Sequence, residues 1–298
     1  MEQEFGASGV PFVDGEGAAR CMRKFRAERW VAGVAGECHG NQIGIRTTRA
    51  EALDVLRHSL PPGWVSKPDG SKVRSLFSVT TKTRNGVEDF CLHVGPRLIA
   101  RSPSLATIGD ELESYQDLLL AATARGRCFV HAGVVGTAAG AIILPGVSRA
   151  GKTTLTKAFI EAGAQFFSDD LAVLDAGGFV HPYPRPLSLR AGPGDVRLRR
   201  RAEELGGVVA TEPMPVAMVL FTNHEAGTPF APKEVAPAQA VFELLQHTLT
   251  ARSQPRACLE ALAKVSRSAL LLKGTRGEAS ECVRTSLVRH SAGKRHAA

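Results

Sequence analysis

The segment Pro145-Gly146-Val147-Ser148-Arg149-Ala150-Gly151-Lys152-Thr153-Thr154 constrains this chain more than any other part of it. It has the spacing GxxxxGK(S/T) and follows the apolar run Ala141–Leu144. After it, Leu155, Ala158, Phe159 and Ala162 recur at helical intervals, and Gly163 supplies a stop. A strand that passes through a glycine-rich turn into a helix N-terminus aims several backbone N–H groups at one concavity. The glycines let the chain curl there without an intervening side chain. Gly146, Val147, Ser148, Arg149, Ala150, Gly151, Lys152, Thr153 and Thr154 are therefore the candidate nucleotide-binding residues. In such a loop the lysine reaches the β- and γ-phosphates and the hydroxyl that follows ligates Mg²⁺. The expected cofactors are ATP and Mg²⁺; ATP is the default because no NKxD-type guanine motif is present.

Two further features gain meaning from this loop. Phe166-Phe167-Ser168-Asp169-Asp170 is an apolar strand ending in two carboxylates, 17 and 18 residues beyond Lys152. Adjacent carboxylates do not both stay ionised cheaply without a cation or a shared proton. One of them can hold Mg²⁺ while the other takes the proton of an attacking hydroxyl. A plain Asp-Asp turn explains the residues but not their place after an apolar strand. His131, in CFVHAGVV, shares a strand face with Phe129 and Gly133. Alone it reads as a satisfied core histidine; with the loop and the aspartates it becomes a site candidate.

Together HAGVV, GVSRAGKTTL and FFSDDLAVL resemble the catalytic core of the HPr kinase/phosphorylase family and its HPr-kinase-related bacterial relatives. The resemblance covers roughly 128–192. It implies a phosphate-loop domain similar to HPr kinase and phosphoenolpyruvate carboxykinase, and phosphoryl transfer from ATP-Mg²⁺ to a hydroxyl. His131 falls on the family's histidine, Lys152 on its loop lysine, Thr153 on its metal-binding hydroxyl and Asp170 on the aspartate that accepts the substrate proton. Asp169 would support the metal. Arg190, in Leu187-Ser188-Leu189-Arg190-Ala191-Gly192, falls on the arginine of a later family segment. Three positions depart from the pattern: Ala132 replaces Gly, Arg149 replaces a common Gly, and Ser188 stands where the family has a metal-binding Glu. The second metal contact, and with it the reverse phosphorylase activity, are thus not implied for this chain. The family resemblance also implies assembly into a homo-oligomer.

The organisation read from the sequence is α/β: a smaller α+β region over 1–115 and the phosphate-loop domain over 116–298. In the first, Ala50–Leu60 reads as a helix ended by Pro61-Pro62-Gly63, Ser71–Arg101 as strands with an Asn85-Gly86 hairpin turn, and Asp110–Ala124 as a helix. In the second, Cys128–Val135 and Ala141–Leu144 read as a hairpin, Gln165–Ser168, Leu171–Leu174 and Val216–Thr222 as strands, and 237–249, 255–265 and 278–289 as helices. Ala191–Gly207 reads as a mobile excursion, and the arginine run within Val196–Arg201 as a solvated helix face.

Composition narrows the partners. The formal net charge is +8, a surplus that favours anionic ligands and says nothing about fold. With 6% aromatic residues and no recognised module, nucleic-acid binding is not expected. No apolar run approaches the ~20 residues of a membrane span. MEQEFGASGV lacks the basic-then-apolar pattern of a secretory signal, and the six cysteines are widely spread. The expectation is a cytoplasmic kinase whose acceptor is a protein, peptide or small molecule. The alternative is a nucleotide-binding regulatory module that hydrolyses slowly or not at all.

Overall fold

The computed structural model describes residues 29–68, 70–84, 86–146, 151–191 and 196–293. The chain divides into two compact units, the first ending at Arg125 and the second beginning at Gly126. A division at residue 115 would cut a helix, so the boundary falls just past that helix's end.

The first unit runs β1 (Ala32–Cys38), β2 (Asn41–Thr47), α1 (Ala50–Leu56), β3 (Val65–Lys67), β4 (Ser75–Arg84), β5 (Val87–Val94), β6 (Arg97–Ser102) and α2 (Leu105–Thr123). Its six strands pair in the order β3-β1-β2-β4-β5-β6. The β4–β5 hairpin closes at Arg84↔Val87, around the Asn85-Gly86 turn expected from the sequence; Asn85 itself lies outside the described residues. α1 buries Leu53 and Leu56. α2 begins five residues earlier than its apolar stripe announces, because the Ser104 side chain accepts a hydrogen bond from the Thr107 backbone N–H.

The second unit runs β7 (Cys128–Thr137), β8 (Gly140–Pro145), α3 (Lys152–Glu161), β9 (Gln165–Ser168), β10 (Leu171–Leu174), β11 (Phe179–His181), β12 (Leu187–Ala191), β13 (Val196–Arg200), β14 (Met214–His224), β15 (Lys233–Glu234), α4 (Pro237–Gln246), α5 (Pro255–Ser268), β16 (Leu270–Arg276) and α6 (Ala279–Gly293). β11-β10-β7-β8-β14-β16-β15 form one mixed sheet, with β9 added beside β7. β8, β14 and β16 are mutually parallel neighbours, so Pro145, His224 and Arg276 close the same end. In open α/β sheets ligands bind at that end.

The sheet is covered on both faces. Val130, Val134, Ile143 and Val219 pack with Leu244 of α4 and Leu262 of α5. Val135, Ile142, Leu144 and Leu220 pack with Leu155 and Phe159 of α3 and Val283 of α6. Both burials follow from strand alternation within near-continuous apolar runs. The unit is thus a three-layer mixed α/β structure. The run around Val196–Arg200 is strand, not helix: it pairs with β12 from Leu187↔Arg200 to Ala191↔Val196. No helix among the described residues is long and apolar enough to cross a membrane.

α3 lies unusually close to β7. A Cβ on Gly133 would stand 2.4 Å from Thr156 Oγ1, and Thr156 is fully buried on α3. Gly133→Ala therefore destabilises the protein by ~1–3 kcal/mol through overpacking. Adding Thr156→Ala to Gly133→Ala recovers much of that loss, a coupling read from thermal or urea unfolding of the double-mutant cycle.

Candidate functional site

β9 and β10 both run antiparallel to β7, along one edge. Ser168 pairs with Val134 and Leu171 with His131, leaving Asp169 and Asp170 as a bend opposite Ala132 and Gly133. The bend is pinned on both sides. The Ser168 hydroxyl accepts the Leu171 backbone N–H at 3.0 Å. The Asp170 carbonyl accepts the Ala132 backbone N–H at 3.1 Å and the His131 ring at 3.0 Å.

Of the described phosphate-motif residues, Thr153 reaches this bend and Lys152 reaches His131 beside it. Gly146 ends the strand side, while Val147, Ser148, Arg149 and Ala150 lie outside the described residues. Gly151 has a φ of 78°, the left-handed region natural to glycine, and opens α3. The Thr153 hydroxyl donates to Asp169 Oδ2 at 2.8 Å. Lys152 Nζ donates to the Gly146 carbonyl at 2.9 Å and meets His131 Nε2 at 3.1 Å. Thr154 is exposed at the first turn of α3.

The tautomer of His131 follows from its partners. Its Nδ1 faces a carbonyl, which only accepts, so Nδ1 carries the proton. Nε2 is then bare and accepts from the Lys152 ammonium. Burial lowers the pKa of His131, and the neighbouring lysine lowers it further. Lys152 is also lowered, by burial above all, against the pull of Asp170 and Asp169. The same strand residue is tied from behind, since the His131 backbone N–H donates to the His247 carbonyl at 2.7 Å.

Asp169 is 1% exposed. Burial, then the charge of Asp170, push its carboxyl up to about 6. Oδ2 holds the Thr153 hydroxyl, and the Ser188 backbone N–H approaches it at 3.5 Å. Oδ1 is buried with no hydrogen-bond partner among the described residues. A buried carboxylate oxygen left open beside a threonine hydroxyl suits Mg²⁺. That ion takes one or two protein oxygens and completes its shell with water and phosphate oxygens. No group of three or more His, Cys, Asp or Glu gathers among the described residues, which such a hydroxyl-plus-carboxylate site does not need. Asp170 is half-buried beside it.

Thus His131, Lys152, Thr153, Asp169 and Asp170 come together. Arg190 stands in β12, two residues beyond Ser188 and opposite Arg197, and its side chain lies outside the described part. Sequence reasoning missed Arg276, whose Nη2 donates to the Gly151 carbonyl at 2.9 Å across 125 residues of chain, and the backbone support from His247. No local pattern marks either contact.

One pH effect follows directly. A base whose pKa is lowered by folding takes up its proton in the unfolded chain first, so stability falls as pH drops below ~6.5. Lys152 from α3, the Asp170 carbonyl from the β9–β10 bend and His247 after α4 surround the ring. Asp169, with its pKa raised, acts in the opposite sense over a lower range. His131→Gln keeps an acceptor for Lys152 and cannot titrate. Its melting temperature declines less than wild type's as pH is lowered through that window, measured by calorimetry.

No protein-family model matches this chain, and no curated protein matches it.

Proposed function

We propose that the chain is an ATP-dependent kinase that transfers the γ-phosphoryl group to a serine or other hydroxyl of a protein, peptide or small-molecule acceptor. We place it on a phosphate-loop domain of the HPr kinase and phosphoenolpyruvate carboxykinase kind. The observation that carries the reading is the Thr153 Oγ1–Asp169 Oδ2 bond of 2.8 Å. It joins the motif's metal-binding hydroxyl to the first of the two carboxylates, with Lys152 and Asp170 alongside.

In this reading Lys152 and the opening of α3 hold the β- and γ-phosphates. Thr153 and Asp169 Oδ1 would hold Mg²⁺, which when bound offsets phosphate charge. Asp170 accepts the proton of the acceptor hydroxyl as its oxygen bonds to the γ-phosphorus. The bond from that phosphorus to the bridging oxygen breaks, and ADP leaves with the electron pair. His131, neutral and fixed by Asp170, orients Lys152. A cytoplasmic setting fits a consumer of ATP-Mg²⁺.

A second reading, a regulatory module that binds nucleotide without a phosphoacceptor, is favoured by Ser188. Where the resembling family has a metal-binding Glu, this chain offers only a hydroxyl side chain and a backbone N–H near Asp169. Incubation with γ-labelled ATP, Mg²⁺ and cell extract separates the two. Label on a protein or small molecule supports the kinase; label solely in free phosphate supports the module; absence of nucleotide binding in a Mg²⁺-ATP titration removes both.

A further inference from the structure

Arg276 ends β16 at the sheet edge from which the phosphate motif departs. It is 2% exposed and among the largest fully buried side chains of the described residues. Nη2 donates to the Gly151 carbonyl at 2.9 Å and Nη1 to the Gly277 carbonyl at 3.1 Å. Nε is buried and has no partner among the described residues. Among the described residues no ion pair holds the guanidinium there. Burial lowers its pKa and outweighs the opposing charge of Glu278.

A guanidinium stays protonated in proteins, so this is a buried, permanent positive charge without a carboxylate bonded to it among the described residues. Such a charge is costly unless something else compensates it. Here two carbonyl dipoles do part of that work. Lys152 and the positive end of α3 lie at the same end of the sheet, so an anion bound there meets these charges together with the carboxylates Asp169 and Asp170 that partly offset Lys152. Gly151 fits this arrangement twice over. Its φ of 78° needs glycine, and a Cβ there would stand 2.5 Å from Nη2. The Gly151 carbonyl also accepts the Leu155 backbone N–H at 3.1 Å, the first turn of α3.

We infer that Arg276 is a positioning residue of the phosphate loop, which grips the Gly151 carbonyl to fix the turn into α3 and adds a buried positive charge that favours a polyphosphate. The inference rests on the nucleotide reading for its ligand, and on the Gly151 contact for its mechanical part. Arg276 lies 124 residues beyond Lys152, on a strand that the loop motif does not include.

The test uses the full chain as wild type, Arg276→Gln, Arg276→Lys and Lys152→Ala. ATP-Mg²⁺ and adenosine are titrated calorimetrically, and amide exchange is followed over 151–156 without nucleotide. Thermal melts select folded variants. Arg276→Gln, which keeps a neutral donor, weakens ATP-Mg²⁺ by about 10- to 100-fold, as befits a charged hydrogen bond, and leaves adenosine nearly unchanged. Arg276→Lys, which restores the charge, recovers part of the loss and keeps the inference testable should the Gln variant fail to fold. Both variants speed amide exchange at the start of α3. Unchanged ATP affinity together with unchanged exchange overturns the inference. Equal losses for ATP and adenosine overturn its electrostatic half. If wild type binds no nucleotide, as Lys152→Ala would then also show, the functional reading falls, and the exchange result alone decides whether Arg276 holds the turn.

Discussion

Asp170→Asn is expected to lower phosphoryl transfer by about 10³-fold while ATP-Mg²⁺ affinity stays within a few-fold. A positioned general base contributes typically 10²–10⁴ in rate, and asparagine keeps the shape of the side chain without its basicity. The exchange leaves the bend intact, because none of its anchors uses the Asp170 side chain. The Asp170 carbonyl holds Ala132 and His131, and the Ser168 hydroxyl holds Leu171. Electrostatic side effects are predictable in sign. The charge of Asp170 raises the pKa of Asp169 and that of Lys152. Its loss lowers both, leaving Asp169 more readily ionised for Mg²⁺ at neutral pH. Binding is therefore preserved where chemistry is lost. Single-turnover transfer to the identified acceptor, beside a nucleotide titration, reads both quantities. Transfer at the wild-type rate removes Asp170 from the role of base, and a parallel collapse of affinity makes it a binding group instead.

The parts of this arrangement that were legible in the sequence are those whose signal is local. β8, α3, β9 and β10 each carry their own apolar period, and the phosphate motif and the Asp-Asp pair are short enough to read within one window. What was illegible depends on contacts across the chain. β1 and β2 hold Gly33, Gly36 and Gly44, which dilute the apolar alternation of a strand. A Cβ on Gly36 would lie 2.3 Å from the Trp64 ring, so the glycine answers to a residue 28 positions away. The Arg-rich β13 reads as a charged helix face until β12 supplies its pairing partner and Leu187 and Leu189 their core of Ile160 and Phe166. β16 was passed over between two helices, and Arg276 with it. Its Gly151 partner is set by parallel pairing of β8, β14 and β16, which no single segment encodes. The early start of α2 came from a capping serine, a one-residue signal outside the periodic stretch.

Lys152→Met is expected to weaken ATP-Mg²⁺ by about 10²-fold or more while the nucleotide-free protein stays folded. The lysine is 9% exposed, and its ammonium is costly where it sits, as the burial-driven fall in its pKa records. Methionine fills the stem of the side chain and removes that charge, so the lost hydrogen bonds to His131 and Gly146 are offset by a relieved desolvation cost. Toward a triphosphate there is no such offset, because the point charge proposed to meet the β- and γ-phosphates is gone. His131 reports the change independently of any ligand. The Lys152 charge is the second cause, after burial, that lowers the imidazole's pKa, so the variant raises it toward the ordinary value. An NMR titration of the ring in wild type and variant measures the shift, and the nucleotide titration measures the binding loss. A raised histidine pKa with undiminished ATP affinity would show that Lys152 tunes His131 and does not grip phosphate, and the kinase reading would fail at its first residue.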